Sequence, residues 1–274
     1  MLQTYSFKGN IWKVRIDTHN HSAVIEIRNG AEYTTSFQVI DLTTRKQIIS
    51  DWILHEPWLI GIEDIDNGIL YTHQYRSPEI PEHYGIYAYD TRTKLMLWEQ
   101  PELSWFKKTN LSILAHYLTP EGIRQFVELD LSGKIIQRFG EQIPIHTLQE
   151  AENVELEAFE RMRFPQAILL DKPENKEHLA FFRTFAPALK FHYSEYLNYQ
   201  ENHILSYYSM NKDATQTSMN NNFVIYNTNE NKKLCEVYLA QNVHKFAVDT
   251  FYMYENHLFF IQYPNVLHVY SFEV

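Results

Sequence analysis

A single cysteine, Cys235, stands in 274 residues. An intramolecular disulfide needs two thiols, and a thiolate-built zinc or iron–sulfur centre needs more, so both are excluded. An excess of basic charge is missing as well: 24 Lys and Arg face 34 Asp and Glu, a formal charge of −10. Nucleic-acid binding needs a basic face against the phosphate backbone, and an anionic membrane surface asks for the same, so neither partner is expected. The opening MLQTYSFKGNIW lacks the basic-then-apolar design of a signal peptide, and no run is long and apolar enough to cross a bilayer. These features lead us to expect a cytoplasmic protein. No nucleophile-elbow serine motif and no glycine-rich phosphate loop occurs, which removes two common enzyme classes.

What the chain has in abundance is aromatic surface: nineteen Tyr and seventeen Phe, spread evenly, against only eight Gly. Aromatic and β-branched side chains fit a pleated, half-buried sheet, which points to a mostly β protein. The length is enough for a large core, as one β domain or two smaller ones.

Four segments share one order of residues. GIYAYDTRTKLMLWEQ (85–100), SFQVIDLTTRKQIISDW (36–52), RQFVELDLSGKIIQRF (124–139) and NNFVIYNTNENKKLCEVY (221–238) each run through an aromatic-rich strand, an Asp or Asn, a short polar turn, a Lys and a second apolar strand. Asp and Asn suit that turn because their side chains bond the backbone two residues on and tolerate left-handed backbone. Each segment is therefore expected to be a β-hairpin. A second hairpin type precedes them: WLIGIEDIDNGILYTHQY (58–75), KFHYSEYLNYQENHILSYY (190–208) and KFAVDTFYMYENHLFFIQY (245–263). Two hairpins in tandem make a four-stranded meander. The turn residues Asp41, Asp90 and Asp130 are 49 and 40 residues apart, and Asn227 precedes Ser271 by 44. A four-stranded unit repeating every 40–50 residues or so is the spacing of propeller blades.

The fold class expected is thus all-β, a β-propeller of four-stranded antiparallel blades in a single domain over 1–274. Five blades are favoured and six are possible. The chain stops after a third strand, VLHVYSFEV, and NIWKVRID (10–17) has the look of the missing fourth, so the two termini are expected to close the ring. One helix is expected near 147–162, inserted at about 140–165. Thr147 and Glu150 form a capping box, and Leu148, Ala151, Val154, Ala158 and Met162 make a stripe at helical spacing. The segment after it, AILLDKPENKEHLAFFRTF, reads as a degenerate hairpin.

The outer hairpins resemble the quinoprotein (PQQ-type) repeat, which runs roughly apolar-x-Ala-x-Asp-x-x-Thr-Gly-Lys-x-x-Trp. The likeness rests on Asp41 and Lys46, on Asp90, Lys94 and Trp98, and on Asp130, Gly133 and Lys134. The motif's glycine stands only at Gly133 and its tryptophan is clear only at Trp98. In that family the motif staples blades and carries no catalytic residue, so the resemblance implies a blade fold and no quinone cofactor. WD-repeat signatures are missing.

In such a fold, turns within strand pairs point to one face and the remaining links to the other. The first set is uniformly short. The second set is long: RNGAEYTTS (28–36), RSPEIPEHY (76–84), SMNKDATQTSMNNN (209–222) and the helical insertion. Binding residues concentrate in scaffolded loops, so the long-loop face is the expected site, with Tyr33, Arg76, His83, Tyr84, Met210, Lys212 and Asn221 as partner-binding candidates. The function expected is a non-catalytic binding module for a protein or small molecule. A glycoside hydrolase is the alternative, because Glu63, Asp64, Glu195 and Asp249 fall on strands assigned as innermost, and glycoside hydrolysis needs paired carboxylates. His19 and His21 in THNH have the spacing of a metal pair, but no third ligand is near in sequence and they read as a polar turn, so no metal is expected. Cys235 is expected to be an inert, partly buried thiol.

Overall fold

In the computed structural model, alternating apolar and polar residues are realised, among the described residues, as five antiparallel sheets of four or five strands, with two α-helices. The structure describes residues 1–189, 193–210 and 218–273. The first strand, β1 (Leu2–Ser6), belongs with the C-terminal half of the chain. Two compact units result: Lys8–Arg161, and Met1–Phe7 together with Met162–Val274.

Three meanders build the Lys8–Arg161 unit. The first sheet is β2 (Asn10–Asp17), β3 (Ser22–Asn29), β4 (Thr34–Asp41) and β5 (Lys46–Trp52). The second is β6 (Ile60–Asp66), β7 (Ile69–Ser77), β8 (Ile80–Asp90) and β9 (Met96–Gln100). The third is β10 (Ser104–Lys108), β11 (Ser112–Leu118), β12 (Arg124–Asp130) and β13 (Ile135–Gly140). Inward positions of the first two sheets, among them Val24, Phe37, Val39, Ile60, Ile62 and Leu70, make one buried cluster. Tyr71, Ile86 and Ala88 meet Ile113, Ala115, Val127 and Leu129 in a second.

The turn reading holds in atomic detail. Asp90 Oδ1 accepts the backbone N–H groups of Arg92 and Thr93, and Asp130 Oδ1 accepts those of Ser132 and Lys134. Asp41 and Asn227 cap their turns likewise, taking the N–H groups of Thr44 and Glu230. Such bonds stabilise the ionised carboxylate and hold Asp90 and Asp130 below the usual carboxylate range, Asp90 through the Thr93 N–H first and Asp130 through the Ser132 hydroxyl first. The left-handed residue each turn needs is Arg45, Lys94, Gly133 or Asn231. Glycine does this without steric cost and asparagine tolerates it, whereas Arg45 and Lys94 accept about 1–2 kcal/mol of strain.

The expected helix forms as α1 (Ile145–Glu160), two residues earlier than its sequence stripe suggests. Pro144, at φ −56°, stands at the N-cap, and no side chain caps the first turn, so the Thr147–Glu150 box is not made. Thr147 lies inside the helix and is buried together with Ala151, which packs on Leu114 and Ile143. Ala158 is exposed, and Met162 has left the helix for a two-residue strand, β14 (Met162–Arg163).

The other unit holds two five-stranded sheets. One is β15 (Gln166–Leu169), β16 (Tyr193–Tyr199), β17 (Asn202–Met210), β18 (Met219–Asn227) and β19 (Lys232–Val243). Between β15 and β16 lies α2 (Lys176–Phe185), where the sequence suggests a degenerate hairpin. Its Leu179, Phe182 and Phe185 recur at helical spacing and cover Leu205, Tyr207 and Val224 on one face of the sheet. The alternate residues Ile204, Phe223 and Ile225 face the other way, into a cluster with Phe251, Met253, Leu258 and Phe260. The last sheet joins β20 (Phe251–Tyr254), β21 (His257–Gln262) and β22 (Val266–Ser271) to β14 at one edge and to β1 at the other. The strand that reaches the C-terminal sheet is therefore Leu2–Ser6, not 10–17: Thr4 pairs with His268, and Asn10–Asp17 opens the first sheet instead.

Candidate functional site

The hairpin β7–β8 brings together two residues that the sequence reading kept apart. Glu63 belongs to β6 and His83 to β8, twenty positions later, yet Glu63 Oε1 lies 2.7 Å from His83 Nδ1. The same oxygen is 2.9 Å from Nδ1 of His73, on β7. Two bulges make this possible. Pairing outward from the Asn67–Gly68 turn in strict register would set Ile62 against His73 and send Glu63 to the opposite face. One extra residue between Ile62 and Asp64 shifts the ladder, and Gly61 becomes the partner of His73. A second shift, where Gly85 takes φ +70°, moves His83 from opposite Arg76 to opposite Tyr75. Gly61, His73, Tyr75 and His83 thereby share one face.

The imidazoles of His73 and His83 stack with centroids 3.4 Å apart and planes within 8° of parallel, and Tyr75 meets both rings edge-on. Gly61 makes room for the pair, since a Cβ there would lie 2.8 Å from His73 Nε2. Neither ring nitrogen of His73 has a partner in hydrogen-bonding geometry, although its side chain is only 1% exposed. Burial opposes ionisation of Glu63, but the two close imidazoles outweigh it and hold the carboxyl at about 2, against 4.5 ordinarily. Burial pushes His73 the other way, below the usual histidine value. Arg28 packs over Tyr75 and the exposed Trp12, with its guanidinium bound to Glu26, whose second oxygen takes the N–H of Ile62. Lys13 Nζ donates to Ile62 O at 2.7 Å; burial first, then Arg15, lowers its pKa.

Among the described residues, two groups have ligand atoms close enough to hold a metal: Glu63, His73 and His83, and Asp17, His19 and Asp66. In the second group every carboxylate is engaged. Asp17 binds the N–H groups of His19, Asn20, Asn67 and Gly68, while Asp66 pairs with Lys108 at 2.5 Å. His19 contacts Asp66 at 2.8 Å. The fixed turn expected of THNH is what forms.

The other candidates fall in several places. Arg76 and Tyr84 line a cleft of about 140 Å³ with Glu82, Glu102, His116 and Tyr117. The long loop expected at 76–84 is largely strand, with its tip at Pro78–Glu79. Tyr33 is exposed and meets Trp58 edge-on. Asp64 lines a separate cleft of about 440 Å³ with Asp66, Lys108 and Arg161, and burial raises its pKa. In the other unit, Met210 is exposed at the end of β17, while Lys212 lies outside the described residues. Asn221, placed in a loop by the sequence reading, is a buried β18 residue bonded to Ser206 and Tyr208. Glu195 serves structure: it accepts the N–H groups of Asp249 and Thr250, the Thr250 hydroxyl and the Tyr193 hydroxyl. Asp249 sits in the loop before β20, not on a strand. Cys235 is buried, and burial lifts its thiol to about 11, in line with an inert role.

Residues 16–98 match a family described as "Domain of unknown function (DUF4905)". That stretch includes Glu63, His73 and His83. No curated protein matches the chain. Among solved structures, it is similar to BamB from Moraxella catarrhalis at 10% identity and a TM-score of 0.35, covering 95% of this chain and 84% of that one. It is similar to the β-propeller domain of the Trilobed protease from Pyrococcus furiosus at 10% identity and a TM-score of 0.34, covering 97% and 70%. A third likeness, to Kuenenia stuttgartiensis hydrazine synthase, has 10% identity and a TM-score of 0.31; it covers 89% of this chain, which spans 60% of that one. Likeness at this level bears on neither activity nor ligand.

The sequence reading singled out Glu63 and His83 for different roles and passed over His73. The one signal for His73 was its place in YTHQY, where Tyr71, His73 and Tyr75 alternate onto a single face.

Proposed function

We propose that the chain is a non-catalytic binding module whose site is the outer end of the β7–β8 hairpin. The observation that carries this reading is the convergence there of Arg76 and Tyr84 in one cleft with Glu82, Glu102, His116 and Tyr117. Arg and Tyr anchors of this kind dominate the energetics of binding surfaces because they combine area with directed polar groups. The hairpin is anchored at its root by the buried Leu70, Tyr71, Ile86 and Ala88, so it presents those groups on a rigid base. Of the four carboxylates considered for glycoside hydrolysis, Glu63 is hydrogen-bonded to His83, Glu195 is taken by backbone and hydroxyl donors, Asp64 lies in a separate cleft and Asp249 lies off the strands.

Co-purification from the native host tests the reading. The double variant Arg76→Ala, Tyr84→Ala should lose whatever wild type recovers, while Lys46→Ala, at the exposed start of β5, should retain it. Full recovery by the double variant would place the site elsewhere.

A further inference from the structure

We propose that Glu63, His73 and His83 form a binding site for one divalent transition-metal ion, with Glu63 Oε1, His73 Nδ1 and His83 Nδ1 as its protein ligands. The proposal goes beyond the partner-binding reading, because these three residues lie on the opposite face of the hairpin from the Arg76–Tyr84 cleft. The three ligand atoms lie within 4.8 Å of one another. Ligands bound at 2.0–2.2 Å stand about 3.0 Å apart at right angles and about 3.4 Å apart in a tetrahedron. The observed carboxylate–imidazole separations of 2.9 and 2.7 Å are close to the right-angle value.

Hydrogen bonding alone accounts poorly for the arrangement. A buried imidazole normally has at least one nitrogen bonded, because leaving it bare forfeits its hydration for nothing. His73 is buried with neither nitrogen bonded in good geometry, and its Nε2 abuts Gly61, where no donor or acceptor side chain exists. An ion at Nδ1 satisfies the ring. Two imidazoles and one carboxylate suit zinc, iron, cobalt or nickel; calcium and magnesium prefer all-oxygen shells.

One rearrangement is required. Ring lone pairs lie in the ring plane, so two parallel rings 3.4 Å apart do not converge on one point. His73 is fixed between Gly61 and Tyr75, whereas the His83 side chain is 39% exposed, so His83 is the ring that tilts. The ion then keeps at least one position open on the exposed His83 side, for water or another small donor.

Full-length protein stripped with a chelator and titrated with Zn²⁺ alone, followed by calorimetry and by metal content after dialysis, tests the site. Wild type should take up one ion per chain with a rise in thermal midpoint, and Co²⁺ should give visible ligand-field absorption. His83→Ala removes a half-exposed ligand without opening the core, and Glu63→Gln keeps the shape; each should weaken binding at least tenfold. His19→Ala should bind as wild type does. No stoichiometric uptake by wild type, or affinity in His83→Ala within threefold of wild type, overturns the site. The Arg76→Ala, Tyr84→Ala variant retains all three ligands and should bind Zn²⁺ normally, so the partner assay and the metal assay fail independently of each other.

Discussion

Trp98 occupies the space where a side chain on Gly133 would begin. A Cβ at Gly133 would lie 2.4 Å from Trp98 Cδ2, and the indole Nε1 donates to Leu131 O at 2.9 Å in the same turn. The second and third sheets are thus joined at their outer edges by one aromatic ring seated on a turn. Gln100 adds a bond to Gly133 O at 2.8 Å.

Gly133→Ala should therefore cost more than strain alone. Gly122 provides the control, since it also has a left-handed φ, of +81°, but nothing lies within 4 Å of its missing Cβ. Gly122→Ala should lose about 1 kcal/mol through backbone strain. Gly133→Ala should lose a further 1–3 kcal/mol or so from overpacking against the indole. Urea denaturation of both variants measures the difference, and equal losses would refute the docking.

Asp17 is the buried counterpart of these exposed turns. Its two oxygens accept four backbone N–H groups, two in its own turn and two, from Asn67 and Gly68, in the β6–β7 turn of the next sheet. Asp17→Ala should destabilise by about 3–5 kcal/mol, because it strands those donors away from water. The same change at Asp130, whose turn faces solvent, should cost much less. A denaturation midpoint for Asp17→Ala close to that of Asp130→Ala would sink the claim.

Acidification should weaken the C-terminal sheet through His268. Burial lowers its pKa below 6.5, and the ring is held between Thr4 on β1, at 3.0 Å, and Gln262, at 3.2 Å. Between its folded pKa and 6.5 the unfolded chain binds a proton that the folded chain does not. Stability is thus full above pH 6.5 and falls as the pH drops through that window. His268→Gln should flatten the slope of unfolding free energy between pH 7 and pH 5. An unchanged slope would refute the role of His268 and leave the effect to other histidines that burial also lowers, His55, His73, His116 and His203.

What could be read from the sequence was whatever is decided within a few residues. The turns at Asp41, Asp90, Asp130 and Asn227 were legible because each cap bonds its own backbone. The tandem hairpins followed from them. The helix α2 was not legible as such, because HLAFFRTF carries enough aromatic residues to pass for a strand, and only the apolar face of β17 and β18 decides in favour of a helix. The Glu63–His73–His83 cluster was hidden for a different reason. It depends on two one-residue register shifts, and register is a property of paired strands, not of either strand alone. Reading β6, β7 and β8 in strict register disperses the three residues over both faces.

The pairing of β1 with β22 also has a temporal side. Thr4 and His268 are separated by 264 positions, so the ribosome adds that many residues between the first strand and its partner. At common translation rates β1 waits roughly 15–50 seconds before its edge exists. A strand left waiting that long invites mispairing with a neighbouring nascent chain. LQTYS is short and mostly polar, with Gln3, Thr4 and Ser6 flanking a single aromatic residue, which is a poor template for aggregation during that wait.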